Sequence, residues 1–136
     1  MNRDELRGQI LNREFGSQIR DFKGLRWGNI TPTDLDIFIE FKNVLFVLAE
    51  LKYGEAHLPY GQKLALERIT DSLQKTGESF LFVCKHDNRP PKDIIASESI
   101  VSSFYWRKEW HNPKTVKTLF EATNILYGKY VEEVAL

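Results

Sequence analysis

The strongest constraint on the fold is a stretch of alternating side chains. In residues 35–41, Leu35, Ile37, Ile39 and Phe41 fall on one side of an extended chain, and Asp36, Phe38 and Glu40 fall on the other. After Lys42-Asn43 comes the run "VLFVLAELK", with Leu45, Val47, Ala49 and Leu51 on one side and Phe46, Leu48, Glu50 and Lys52 on the other. Two period-two runs across a short turn make an antiparallel hairpin. Cross-strand partners share a face, so aligning the aliphatic faces puts Asp36, Glu50 and Lys52 together on the opposite face. All three then lie at the same end of the hairpin. This requires an odd loop, Lys42-Asn43-Val44 being the simplest, or one bulge. A two-residue turn would pair Phe41 with Val44 and separate the carboxylates.

Two carboxylates that face each other in an apolar setting repel, and burying them unpaired is costly. A positive group is expected between them. An all-oxygen ligand set without His or Cys suits a hard cation such as Mg²⁺ or Mn²⁺, which keeps several of its own waters. Such an ion activates water and polarises a phosphoryl oxygen, and a neighbouring ammonium holds the nucleophile or stabilises the growing negative charge. The plain alternative is a surface ladder of salt bridges, which stabilises little. Such ladders do not usually sit beside residues like Phe46 and Leu48.

Asp36 followed by Glu50-Leu51-Lys52 on the second strand resembles the signature of the PD-(D/E)XK nuclease superfamily. The segments "PTDLD", "ELKYG" and "LPYGQKLALERITDSL" are similar to small phage-encoded members. The resemblance covers roughly residues 10 to 86. It implies a restriction-endonuclease-like core and metal-dependent hydrolysis of nucleic-acid phosphodiesters, most often in DNA. It also implies Asp36 and Glu50 as Mg²⁺ ligands, with Mn²⁺ as a substitute, the Leu51 carbonyl as a third ligand and Lys52 as the catalytic lysine. Many members add a Glu from the first helix and a Gln from the crossover helix. Glu14 and Gln62 occupy those positions here, with Glu5 a rival to Glu14. Asp34 lies one pleat outward from Asp36 on the same face, as an accessory or second-metal carboxylate. An endonuclease is the expected activity, and a catalytically silent nuclease-fold module that binds nucleic acid or protein is the alternative.

The remaining segments are read around this hairpin. Leu6, Ile10, Leu11, Phe15, Ile19 and Phe22 predict an amphipathic helix over residues 4–22, with a break at Gly16-Ser17. "GLRWGNITP" reads as a first strand. Gln62, Leu66, Ile69 and Leu73 share a helical stripe aimed at the sheet, and Gly77 sits where a left-handed cap belongs. "SFLFVCKH" is a strand buried on both faces, parallel to the second hairpin strand because a helix joins them. His86 ends it and can reach the cleft as an accessory. "SIVSSFYWRKEW" is a further strand, and Asn112-Pro113 predicts a helix start that turns Val116, Leu119, Phe120, Thr123, Leu126 and Tyr130 inward. The expected architecture is α/β: a mixed β-sheet flanked by helices, in the order α-β-β-β-α-β plus a C-terminal strand and helix. The basic, aromatic-rich segment carrying Arg107, Lys108, Lys114 and Lys117 is the expected nucleic-acid contact.

The chain has 136 residues, the size of a single domain over residues 1–136. Lys plus Arg and Asp plus Glu number 19 each, so nucleic-acid binding must come from local clusters and not from net charge. No run approaches the roughly 18 apolar residues of a membrane span. The lone Cys84 and an N-terminus without an apolar signal core point to the cytoplasm, the host's if the chain is phage-encoded. A homodimer is one way for a small nuclease to reach both strands of a duplex.

Overall fold

The computed structural model describes residues 9–10 and 13–132. The chain divides into two compact units, Met1–Pro32 and Thr33–Leu136.

In the first unit, helix α1 spans Arg13–Gly16, and the N–H and hydroxyl of Ser17 both bond to the Arg13 carbonyl, at 3.2 and 2.9 Å. The helix expected to continue to residue 22 stops there. Beyond it the side chains bond locally: Arg20 to the Ser17 hydroxyl, and the Asp21 carboxylate to the Lys23 N–H. Such bonds compete with the helical ladder, and Ile19 and Phe22 stay exposed. Residues 1–8 and 11–12, including Glu5, lie outside the described residues. The strand expected from "GLRWGNITP" is instead a two-residue turn, in which Trp27 and Ile30 exchange backbone hydrogen bonds of 2.9 and 3.0 Å across Gly28-Asn29. Gly28 supplies the positive φ of 63° that this turn requires.

The second unit is a five-stranded mixed sheet: β1 (Ile37–Phe41), β2 (Leu45–Tyr53), β3 (Glu78–His86), β4 (Ile100–Trp106) and β5 (Glu109–His111), side by side in chain order. Only β2 and β3 are parallel, and helix α2 (Tyr60–Gln74) joins them. The sheet is α/β as expected, although its first strand comes later than read and its C-terminal strand is a hairpin. Alternation sorts the apolar residues between two cores. On one face Leu48 and Leu81 pack with Leu66 of α2 and Tyr105. On the other, Val47, Ala49, Phe82 and Cys84 pack with Leu119 and Ala122 of helix α3 (Leu119–Tyr127). Cys84 is fully buried, and burial pushes its thiol up to about 11, so it serves as a small hydrophobe.

Three local devices set these positions. The β1–β2 loop is the three residues Lys42-Asn43-Val44, because Phe41 pairs with Leu45, and Lys42 and Asn43 take φ values of 49° and 61°. Gly77 is not a left-handed cap. A Cβ there would lie 2.7 Å from the Val44 carbonyl oxygen, so glycine lets the chain leaving α2 pass the hairpin loop. Helix α3 starts later than Asn112-Pro113 predicted. Val101 and Leu119 N–H groups bond to the Lys117 and Ser99 carbonyls, which keeps the preceding segment extended beside β4. The helix is capped by Thr118 and Glu121 in a reciprocal box. Val116 and Phe120, expected inward, are exposed.

Candidate active site

The register Ile37↔Ala49 continues one step outward to set Asp36 opposite Glu50. The two residues brace each other: the Asp36 N–H donates to Glu50 Oε1 at 3.1 Å, and the Leu51 N–H donates to Asp36 Oδ2 at 2.8 Å. Asp36 is exposed, but Glu50 is only 1% exposed, the one charged side chain buried among the described residues. Two residues back on the same face is Leu48, part of the core beneath α2, and farther along that face Phe38 and Phe46 stack with ring centroids 6.4 Å apart. Burial raises the Glu50 carboxyl from its ordinary 4.5 to about 7, and the facing Asp36 carboxylate adds to the shift. The Asp36 N–H and the Lys52 charge pull the other way without cancelling it.

Lys52 lies two residues along β2 on the same face, with its ammonium 3.9 Å from Glu50 Oε2. Gln62, in the first turn of α2, accepts from Lys52 Nζ at 3.4 Å and donates through Nε2 to the Asp34 carbonyl at 3.1 Å. Gln62 therefore bridges the crossover helix, the catalytic-lysine candidate and the chain entering β1. Asp34 joins this arrangement through its backbone, and its side chain is exposed. The Leu51 side chain packs against the opposite core, and only its backbone serves this face. Glu14 lies in the first unit, on α1.

The other predicted residues lie elsewhere. His86 pairs with Tyr53, so parity puts it on the opposite face from Glu50 and Lys52. There it packs edge-on against Tyr53, and Nδ1 accepts the Asn88 N–H at 3.3 Å. Arg107 and Lys108 form the two-residue β4–β5 turn, with φ values of 49° and 67°. Arg107 bonds Glu78 at 2.6 Å. Glu78 begins β3 five residues before Val83, the register partner of Glu50. That is about 17 Å along the strand. Lys114 and Lys117 line a groove beside Phe82 and Leu126, on the α3 side of the sheet. The turn and the late start of α3 thus carry the whole basic segment away from the carboxylates.

Sequence reasoning missed Lys85. The parallel register pairs it with Lys52, on the face of Glu50, and its ammonium bonds the Ala56 carbonyl at 2.8 Å. Nothing short of the β2–β3 register distinguishes it from an ordinary strand-end lysine.

Asp36 and Glu50 fit a hard divalent cation: two oxygen-donor carboxylates, one buried and short of positive charge, one open to water, with an ammonium alongside. Among the described residues no group of three or more His, Cys, Asp or Glu gathers, so most of such an ion's ligands would be waters or substrate oxygens. Among those residues, too, no helix is long and apolar enough to cross a membrane. The chain matches no protein-family model, no curated protein and no solved structure.

Proposed function

We propose that the protein is a metal-dependent nuclease that hydrolyses DNA phosphodiesters, with a restriction-endonuclease-like core and an endonuclease mode of action. The observation that carries this reading is the pairing of Asp36 with the buried Glu50, 3.9 Å from the Lys52 ammonium. Once ionised, a buried carboxylate against a second carboxylate is destabilising unless a cation is bound, which supports reading the arrangement as a binding site.

In this reading Asp36, Glu50 and the Leu51 carbonyl hold Mg²⁺ or Mn²⁺. The ion supplies Lewis acidity at a phosphoryl oxygen and a water of lowered pKa. Lys52, oriented by Gln62, holds the attacking water and meets the negative charge that grows on phosphorus. Buried Leu48, two residues from Glu50 on the same face, gives the site an apolar neighbour, which strengthens these interactions. Nucleic acid is the partner, and a homodimer acting in the cytoplasm would allow cleavage of both strands. The test is incubation with supercoiled, linear, branched and single-stranded DNA, and with RNA, in Mg²⁺, Mn²⁺ or EDTA. Cleavage that needs the divalent cation supports the proposal, and no cleavage of any substrate overturns it.

A further inference from the structure

On the Glu50 face, one strand beyond Lys52, lies an open groove of about 430 Å³. It runs between the start of α2 and strands β3 and β4, and its lining includes Lys63, Lys85, His57, Ser102, Ser103 and Trp110. We infer that this groove binds a backbone phosphate of the nucleic acid, a few nucleotides from the bond cleaved. Lys63 and Lys85 are the charged contacts, and the Ser103 hydroxyl is a further donor, the Ser102 hydroxyl being already donated to the Val83 carbonyl at 3.0 Å. The inference rests on the nuclease reading and names where its substrate runs.

Four observations converge. First, register ties the groove to the site: Val83 and Lys85, in its wall, are the β2-facing partners of Glu50 and Lys52. With strands about 5 Å apart, β4 lies about 10 Å from β2. A duplex strand rising about 3.4 Å per nucleotide covers that step in about three nucleotides. Second, β4 is bulged here. Val83 pairs with Ser103 and Cys84 with Val101, leaving Ser102 as the extra residue. In a regular strand Ser102 and Ser103 would face opposite sides, whereas the bulge lets both line the groove. Third, no carboxylate within the groove's lining neutralises its lysines at ion-pair distance. Lys85 bonds a carbonyl, and Lys63 rests over the Trp110 ring, 5.3 Å from its centroid. Glu55 is the one acid in that lining, and the Trp110 indole N–H is taken up by Glu67. Fourth, α2 begins at the groove's edge with no side-chain cap and no acid in its first turn, leaving its positive end uncompensated.

The experiment measures binding of labelled single-stranded and duplex DNA and RNA in EDTA across a salt series, with cleavage kinetics in Mg²⁺. The proteins compared are the parent, Lys63→Gln, Lys85→Gln, the double variant and, as a control, Lys42→Gln in the exposed β1–β2 loop at the other end of the hairpin. The expected result is weaker binding irrespective of sequence. The slope of log affinity against log salt should fall by about 1 per groove lysine, KM should rise, and Lys42→Gln should behave as the parent. Lys63 is exposed, so Lys63→Gln carries the test if loss of the Lys85–Ala56 bond unfolds the other variants. If the parent cleaves DNA and folded Lys63→Gln keeps the parental slope and KM, the groove assignment falls and the nuclease reading stands. If the parent binds nucleic acid with the predicted lysine dependence but cuts none, the groove stands and the nuclease reading falls. A parent that neither binds nor cuts overturns both.

Discussion

The Asp36 N–H is bonded to the Glu50 carboxylate at 3.1 Å, and the Asp36 carboxylate in turn takes the N–H of the residue after Glu50 at 2.8 Å. Each acid is therefore oriented by the other's strand, and the hairpin register is also the geometry of the site. The arrangement fixes two acids in place at the cost of charge repulsion once both are ionised.

Glu50→Gln keeps the shape and removes the charge. It is expected to abolish divalent-cation binding in calorimetry and cleavage in a plasmid assay. Stability should move the other way. The Glu50 carboxyl is raised from 4.5 to about 7 in the folded chain, so its stabilising contribution is complete below 4.5 and lost as pH rises through 7. In EDTA at pH 8 the variant should therefore be more stable than the parent, by up to about 3 kcal/mol. At pH 4 the two should converge. A variant less stable than the parent at pH 8 would show that Glu50 is not frustrated in the metal-free fold.

Lys52→Ala removes the cation 3.9 Å from Glu50, so metal binding should hold or strengthen while cleavage falls by about 100-fold or more. Parental cleavage rates in this variant would return the three charges to the status of a salt-bridge ladder.

Gln62 touches Lys52 and the Asp34 carbonyl but neither carboxylate, so it acts by positioning the ammonium. Gln62→Ala is expected to lower kcat about tenfold with KM and thermal midpoint nearly unchanged. Gln62→Glu keeps an acceptor for Lys52 and should recover part of kcat. Equal loss of stability and activity in both variants would make the residue structural.

The hairpin was legible because period-two alternation admits one face assignment, and because only an odd loop brings Asp36 and Glu50 together. The crossover helix followed from the stripe through Gln62 and Leu66. Other features depended on contacts that sequence patterns do not encode. The period through Ile19 and Phe22 is helical in spacing, yet side-chain-to-backbone bonds around Ser17 and Asp21 take over. The start of α3 carried a readable signal in "TLFE", the Thr118-x-x-Glu121 box, but Asn112-Pro113 offers a similar signal six residues earlier, and the pairing of Val101 with the Lys117 carbonyl decides between them. Lys85 and the Ser102 bulge depend on inter-strand register, which local pattern leaves open.

Gly77→Ala tests the close approach of two chain segments. The added Cβ would meet the Val44 carbonyl oxygen at 2.7 Å and its Cα at 3.0 Å, both backbone atoms, so the hairpin loop or the end of α2 must shift. A loss of about 1–3 kcal/mol is expected, read as a lower urea midpoint at unchanged m-value. An unchanged midpoint would mean that this junction has slack.

At the end of the sheet far from the site, Glu78 accepts from Gln74 Nε2 at 2.8 Å, Trp106 Nε1 at 2.8 Å and Arg107 Nη2 at 2.6 Å. Burial works to raise its carboxyl, but these hydrogen bonds together with the Arg107 charge outweigh it, and the group sits below its ordinary 4.5. A depressed carboxylate contributes stability that is present above the unfolded value and lost as pH falls through the folded one. Glu78→Gln keeps the volume but gives up the charge and turns an acceptor into a donor toward the Trp106 indole or the Gln74 amide. The variant should be destabilised by about 1–3 kcal/mol at pH 7. That gap should narrow as pH falls below about 4.5, because the parent loses the same charge by protonation. Cleavage per folded molecule should be unaffected, since Glu78 is about 17 Å along β3 from the level of Glu50. Denaturant unfolding of both proteins from pH 3 to 7, with a cleavage assay at pH 7, checks each part. A gap independent of pH would show that Glu78 stabilises this end of the sheet by shape and not by charge.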